Sequence, residues 1–104
     1  MKDIIIRGGE NLSPGLIESA ISAHFSVKAC AVIGMPDADL GEIPVAFVVA
    51  NDGHRCDERA LRIEVEKRLS RIHVPTRVIE LRALPENSVG KIDRKALKTL
   101  VPTL

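Results

Sequence analysis

The chain is 104 residues long, a size that fits one hydrophobic core. Its 45% hydrophobic and 28% charged residues exclude the signature of disorder, and a net charge of +1 from 15 basic and 14 acidic residues leaves no field to steer it to nucleic acid or an anionic membrane. With two Phe, no Tyr and no Trp, it also lacks the stacking platforms that single-stranded nucleic acid needs.

Residues 3–7 (DIIIR) form a β-branched run that predicts a strand, stopped at Gly8 and Gly9 by a turn needing unusual backbone angles. A helix follows. Ser13 precedes Pro14, and Leu16, Ile17, Ala20 and Ile21 recur at helical spacing, so Ser13 is the expected N-cap and the helix ends near His24. Val27 to Met35 (VKACAVIGM) predicts a buried strand, MPDADLGE a loop, and IPVAFVVAN a second strand ended by a turn at Asp52 and Gly53. The two strands are expected to pair antiparallel, with a connection longer than a tight hairpin. Residues 57–71 place Leu61, Val65 and Leu69 on one helical face, with Glu64 four residues before Arg68 on the outer one and Asp57 at the helix start. RVIEL then predicts a strand, and IDRKALKTL a short helix capped by Asp93. No repeat or interdomain linker interrupts this order. The class is α+β: a small, mainly antiparallel sheet flanked by about three helices.

Cys30 lies in an apolar run and Cys56 in a polar one, without CxxC or zinc-finger spacing, so they read as a core and a surface thiol. The start MKDIII lacks the apolar region of a signal peptide, and no stretch approaches the roughly 18–20 apolar residues of a membrane span. A cytoplasmic setting is expected. His24, His54 and His73 share no metal-ligand spacing and read as loop or helix-end residues.

Two segments carry chemistry. In LPENSVGKIDRKAL, Lys91 follows Gly90 on a turn; from spacing alone it reads equally as a solvated lysine at a helix start or as a cation delivered to an anion. It belongs to no Walker loop, because Pro85 stands where that motif needs Gly and Ile92 where it needs Ser or Thr. In KDIIIRGGENLSP, Gly8 and Gly9 read from spacing as a plain turn, or as a place where a ligand runs close to the backbone. No GxGxxG follows the strand, which disfavours a dinucleotide fold.

Taken together, KDIIIRGGENLSP, MPDADLGEIPVAFVVA and LPENSVGKIDRKAL resemble the C-terminal domain of the adenylate-forming enzymes: acyl-CoA synthetases, aryl-CoA ligases, luciferases and peptide-synthetase adenylation domains. The resemblance covers essentially the whole chain, residues 1–104, as a single lid domain. It implies a large N-terminal core, outside this chain, that holds ATP, its magnesium and the carboxylic acid. The lid would close over that core in two orientations.

By the same resemblance, Lys91 is the adenylation lysine, Gly90 supplies its turn and Arg94 supports it. Lys2 is the hinge. Gly8, Gly9 and Glu10 form the loop that faces CoA or its pantetheine arm after rotation, and Arg77 is a contact for the CoA nucleotide. GGEN with Pro14 is closer to acyl-CoA synthetases than to peptide-synthetase domains, although GKIDRKAL suits both. The implied activity is that of an ATP-dependent carboxylic acid:CoA ligase, with the isolated domain inactive and binding no cofactor or metal of its own. A stand-alone non-catalytic module that binds an adenylation core or a carrier protein, or the lid of a peptide-synthetase adenylation domain, is the alternative. Phe25 departs from the family, which often has Pro after the preceding His.

Overall fold

A computed structural model describes residues 4–101. The elements are β1 (Ile5–Arg7), β2 (Glu10–Leu12), α1 (Pro14–Ser22), β3 (Val27–Asp37), β4 (Gly41–Ala50), α2 (Glu58–Arg68), a 3-10 turn (Arg71–His73), β5 (Arg77–Glu80) and α3 (Arg94–Thr99). The strands run in the order β2-β1-β4-β3, all antiparallel, and β5 joins β4 in parallel. This is the α+β class expected from the sequence. Among the described residues no helix is long and apolar enough to cross a membrane.

Each helix starts where its cap dictates. Ser13 Oγ accepts the Leu16 N–H with Pro14 in the first turn, Asp57 accepts from Arg59 and Ala60, and Asp93 accepts from Ala96. The helix expected over 57–71 stops at Arg68, and Arg71 begins a separate 3-10 turn, where Ser70 Oγ and His73 Nδ1 lie 2.7 Å apart.

Three further differences from the expected elements have local causes. The residues after Gly9 do not lead directly into the helix: they form β2, so that Gly8 and Gly9 are the two central residues of a hairpin with Arg7 facing Glu10. Their φ values of +55° and +84° are the left-handed angles of a type I′ turn, which glycine adopts without strain. The connection between β3 and β4 is shorter than expected. Asp37 pairs with Gly41, leaving only Ala38, Asp39 and Leu40 between them, and Asp37 Oδ2 accepts the Asp39 and Leu40 N–H groups. Finally, α3 begins at Arg94 rather than at Ile92, because Ile92 bridges back to Glu86.

The β3–β4 pair is buried on both faces, which explains why its sequence is an unbroken apolar run instead of an alternating one. Val32, Ala46 and Val48 join Ile17, Ile21, Leu61 and Val65 beneath α1 and α2. The intervening residues Ala31, Ile33, Val45 and Phe47 join Leu97 of α3. Because successive side chains point to opposite faces of a strand, these are two layers of core separated by the sheet.

The free edge of β3 ties the layers together. Val32 N–H donates to Glu18 Oε2 of α1 at 2.8 Å, and its carbonyl accepts from Arg94 Nη1 of α3 at 2.7 Å. Arg94 Nη2 also reaches Glu18 Oε2 at 3.4 Å. Two side chains from opposite faces thereby close around one edge residue, Val32.

This clamp has a measurable consequence. Glu18→Ala removes an acceptor from Val32 and an anion from Arg94, and is expected to lower stability by about 1–3 kcal/mol in urea unfolding. Glu18→Gln, which keeps one acceptor oxygen, is expected to lose less. Equal stability of Glu18→Ala and the parent chain would show that the clamp is incidental.

Candidate functional site

The segment from Pro85 to Asp93 is a tight loop built around Asn87. The Glu86–Ile92 bridge closes its base, and Asp93 N–H donates to the Pro85 carbonyl at 2.8 Å. Inside it, Asn87 N–H donates to the Lys91 carbonyl at 2.8 Å and Gly90 N–H to the Asn87 carbonyl at 3.0 Å. Asn87 Oδ1 accepts two more donors, Val89 N–H at 3.0 Å and Lys91 N–H at 3.1 Å. Gly90 sits at φ +82° with open space where a Cβ would lie, so conformation and not crowding requires glycine there.

Lys91 therefore does not open a helix. It stands on the return limb of a braced tip, exposed, and its ammonium makes no hydrogen bond or ion pair among the described residues. Val89 beside it is 73% exposed, an apolar side chain held out on the same tip. Two residues beyond the tip, Asp93 caps α3 and Arg94 fastens that helix to Val32 and Glu18. Gly90, Lys91 and Arg94 are thus mechanically one unit.

The Gly8–Gly9 turn is a separate unit. Gly8 N–H donates to the Leu40 carbonyl at 2.8 Å, and Arg7 pairs with Gly41, so the two hairpin turns lean together. Glu42 Oε1 accepts Ile6 N–H at 2.9 Å and secures the same corner. Glu10 is exposed at the start of β2. Hairpin geometry accounts for both glycines: a Cβ on Gly9 would meet nothing within 4 Å, and one on Gly8 would touch only Leu40. Lys2, the expected hinge, lies outside the described residues.

Arg77 is in a third place, at the start of β5. Its Nε donates to Glu58 Oε2 at 3.1 Å, and the same oxygen accepts Val78 N–H at 2.7 Å, so the pair joins β5 to the first turn of α2. An open cleft runs between β1, β3 and α3 with Lys95 and Lys98 at its rim, but neither Lys91 nor the Gly8–Glu10 turn lines it. Among the described residues no three His, Cys, Asp or Glu side chains come together to hold a metal ion.

Asn87 and Glu18 have structural duties that the sequence reading did not single out. For Asn87 a signal was present: Asn three residues before Gly is a turn signature. Glu18 had none, because its partners are 14 and 76 residues away.

Both thiols are held above their ordinary value, by different environments. Burial, aided by the Glu18 carboxylate and Cys56, pushes the Cys30 thiol up to about 12. Cys56, half-buried against the same core, is also raised by burial, against the opposing effect of its hydrogen bond to Ser26. On the outer face of α2, the hydrogen bond from Arg68 holds the Glu64 carboxyl below its ordinary value.

Residues 16–91 match the family model described as the AMP-binding enzyme C-terminal domain. A 2-succinylbenzoate–CoA ligase of Listeria monocytogenes is 44% identical over 96 residues, covering 92% of this chain and 20% of that protein. A long-chain-fatty-acid–CoA ligase of Mycobacterium tuberculosis is 43% identical over 98 residues, covering 94% of this chain and 19% of its own length. An amide bond synthetase from Marinactinospora thermotolerans superposes with a TM-score of 0.90 at 39% identity, over 94% of this chain and 20% of that one. The chain thus spans about a fifth of the length of each protein it matches.

Thiol labelling tests the electrostatics. At pH 8, iodoacetamide is expected to leave Cys30 unmodified in the folded chain and to alkylate both cysteines in urea, read by peptide mass. Because the folded state keeps the Cys30 proton that the unfolded chain releases near 9, this thiol is expected to weaken folding as pH rises from about 9 toward about 12. Rapid labelling of Cys30 under native conditions would contradict its burial.

Proposed function

The chain belongs to the AMP-binding enzyme C-terminal domain family, the C-terminal domain of adenylate-forming acyl-CoA ligases, and on that premise we propose that it is the lid of an ATP-dependent carboxylic acid:CoA ligase. The observation that carries the reading is the braced tip that holds out Lys91 with its ammonium free of any partner among the described residues.

In the first half-reaction a carboxylate oxygen attacks the α-phosphorus of ATP, the bond from that phosphorus to the pyrophosphate oxygen breaks, and acyl-adenylate forms. Negative charge shifts onto departing pyrophosphate. Lys91 contacts the carboxylate and the α-phosphate, holding two anions together that would otherwise repel. A preorganised cation of this kind acts without reorganisation cost at the moment of reaction. ATP and its magnesium would be held by the N-terminal core; among the described residues of this chain no cluster gathers to hold a metal ion.

In the second half-reaction the CoA thiol attacks the acyl carbonyl, the bond to AMP breaks, and the thiol proton is released. The lid has rotated about Lys2 by then, and the Gly8–Gly9–Glu10 turn lines the pantetheine passage. A rigid hairpin tip without side chains at two positions suits a narrow passage. Arg77, its Nε fixed by Glu58 and its side chain 35% exposed, contacts the CoA nucleotide. Arg94 acts through the scaffold by fixing α3. The domain turns over nothing alone, and the reaction takes place in the cytoplasm.

The acceptor is the point at which named relatives part: two are CoA ligases, while the protein of TM-score 0.90 is an amide bond synthetase. A thiol acceptor is supported by the CoA-ligase names of the Listeria monocytogenes and Mycobacterium tuberculosis relatives.

ATP–pyrophosphate exchange and thioester formation by the chain combined with its adenylation core test the reading. Lys91→Ala is expected to lower exchange about 100- to 1,000-fold while retaining thioester formation from supplied acyl-adenylate. Unchanged exchange would remove Lys91 from the chemistry. Binding to the core with neither half-reaction would make the chain a recognition module.

A further inference from the structure

We propose that Asn87 is a positioning residue for adenylation, setting the direction in which Lys91 leaves the tip; the inference rests on the role proposed above for Lys91. Four hydrogen bonds define the tip's backbone, and every one of them has Asn87 at one end. Its N–H and carbonyl bind Lys91 O and Gly90 N, and its Oδ1 accepts from Val89 N and Lys91 N. Both peptide groups flanking the Lys91 Cα are therefore held by the same residue, one through its N–H and the other through its carbonyl.

The outer frame is rigid as well. Asp93 N–H binds the Pro85 carbonyl, Asp93 caps α3, and Arg94 anchors that helix to the edge of β3. What the frame cannot do is set the angles at Gly90, the residue that precedes Lys91 and lies at φ +82° with open space where a Cβ would be. Glycine has many conformations open to it, and only the Asn87 contacts select one. The lysine's stem leaves from the next Cα, so a small rotation at Gly90 displaces the ammonium by far more than it displaces the backbone.

Function should then be more sensitive than stability. The tip is exposed, and amides released from Oδ1 can turn to water, so folding loses little. Catalysis loses more, because misplacing a reacting contact by about 1 Å can cost about 100-fold.

The experiment uses the chain combined with its adenylation core and follows both half-reactions. Asn87→Ala is expected to lower kcat for acyl-adenylate formation about 10- to 100-fold with KM for acid and ATP within about twofold, and to leave thioester formation from supplied acyl-adenylate unchanged. Asn87→Asp, which keeps an acceptor oxygen at the same place, is expected to recover most of kcat. Amide hydrogen exchange at Val89 and Lys91 should quicken in Asn87→Ala and not in Asn87→Asp. An unchanged kcat in Asn87→Ala would overturn the proposal, as would equal loss of both half-reactions or an Asp variant as slow as the Ala variant. Lys91→Ala measured in parallel separates the failures. If it is silent, the role of Lys91 falls and that of Asn87 with it; if it is crippled while Asn87→Ala is silent, only the role of Asn87 falls.

Discussion

The open edge of β3 at Val32 is the joint on which the position of the lysine tip depends. An edge strand presents unpaired N–H and C=O groups, and natural sheets cover or block them. Here the cover is a carboxylate from α1 on one face and a guanidinium from α3 on the other. Helix α3 needs that help. It has six residues with Leu97 as its buried side chain, while isolated helices below about 12–15 residues are marginal in water. Burying one leucine contributes about 1.5–3 kcal/mol, and a charged hydrogen bond such as that from Arg94 to the Val32 carbonyl contributes about the same. The Arg94–Glu18 pair, longer at 3.4 Å and partly exposed, adds less than about 1 kcal/mol. The hydrogen bond to the edge carbonyl is therefore the stronger half of the clamp, and no lysine or methionine at position 94 would replace its planar fork.

The same edge explains why two prolines are tolerated in the central hairpin. Val32 faces away from β4, and the register runs without a slip from Val32–Ala46 through Gly34–Pro44 to Pro36–Glu42. By alternation, Pro36 and Pro44 also direct their nitrogens away from the β3–β4 ladder, so neither removes a donor from it. The Pro44 carbonyl, on that outer side, accepts Thr76 N–H and begins the docking of β5. A rule that proline ends a strand shortens β3 to Met35 and lengthens the loop. The pairing restores both strands because the missing N–H groups fall where none is needed.

Much of the fold was legible because local signals and burial agree. Ser13 with Pro14, Asp57 and Asp93 each cap the helix their spacing announces. The apolar runs of β3 and β4 name buried strands, although only the structure divides their residues between two core layers. What was not legible depends on partners distant in sequence. Strand β2 is three residues, ENL, of which Leu12 alone is buried, and nothing in its composition marks a strand until the Gly8–Gly9 turn is seen to require one. The site divides the same way. Lys91 and Gly90 were recognisable as a motif, whereas the bracing by Asn87 and the remote anchor at Glu18 follow from hydrogen bonds that no periodicity encodes. Arg94 was expected beside Lys91 as a supporting residue, and nothing in its sequence position pointed to the contacts it makes with Val32 and Glu18.

Bracing has an energetic meaning for a lysine that, as proposed, would work on a partner's ligand. Fixing a residue's backbone costs about 1–2 kcal/mol, so ordering the five residues from Asn87 to Lys91 at the moment of contact would cost roughly 5–10 kcal/mol. That exceeds what one exposed charge contact returns. In this chain the folding of the domain has already met that cost, through four internal hydrogen bonds and a closed base. Only the side-chain freedom of Lys91 would remain to be lost in the proposed contact, about 2 kcal/mol, which a cation meeting two anions in a water-poor interface would offset. The exposed Val89 fits the same logic: an apolar side chain on a rigid tip helps to displace water from the surface it meets, and the charge beside it then acts in a lower dielectric. A flexible loop carrying the same lysine would have the chemistry without the placement.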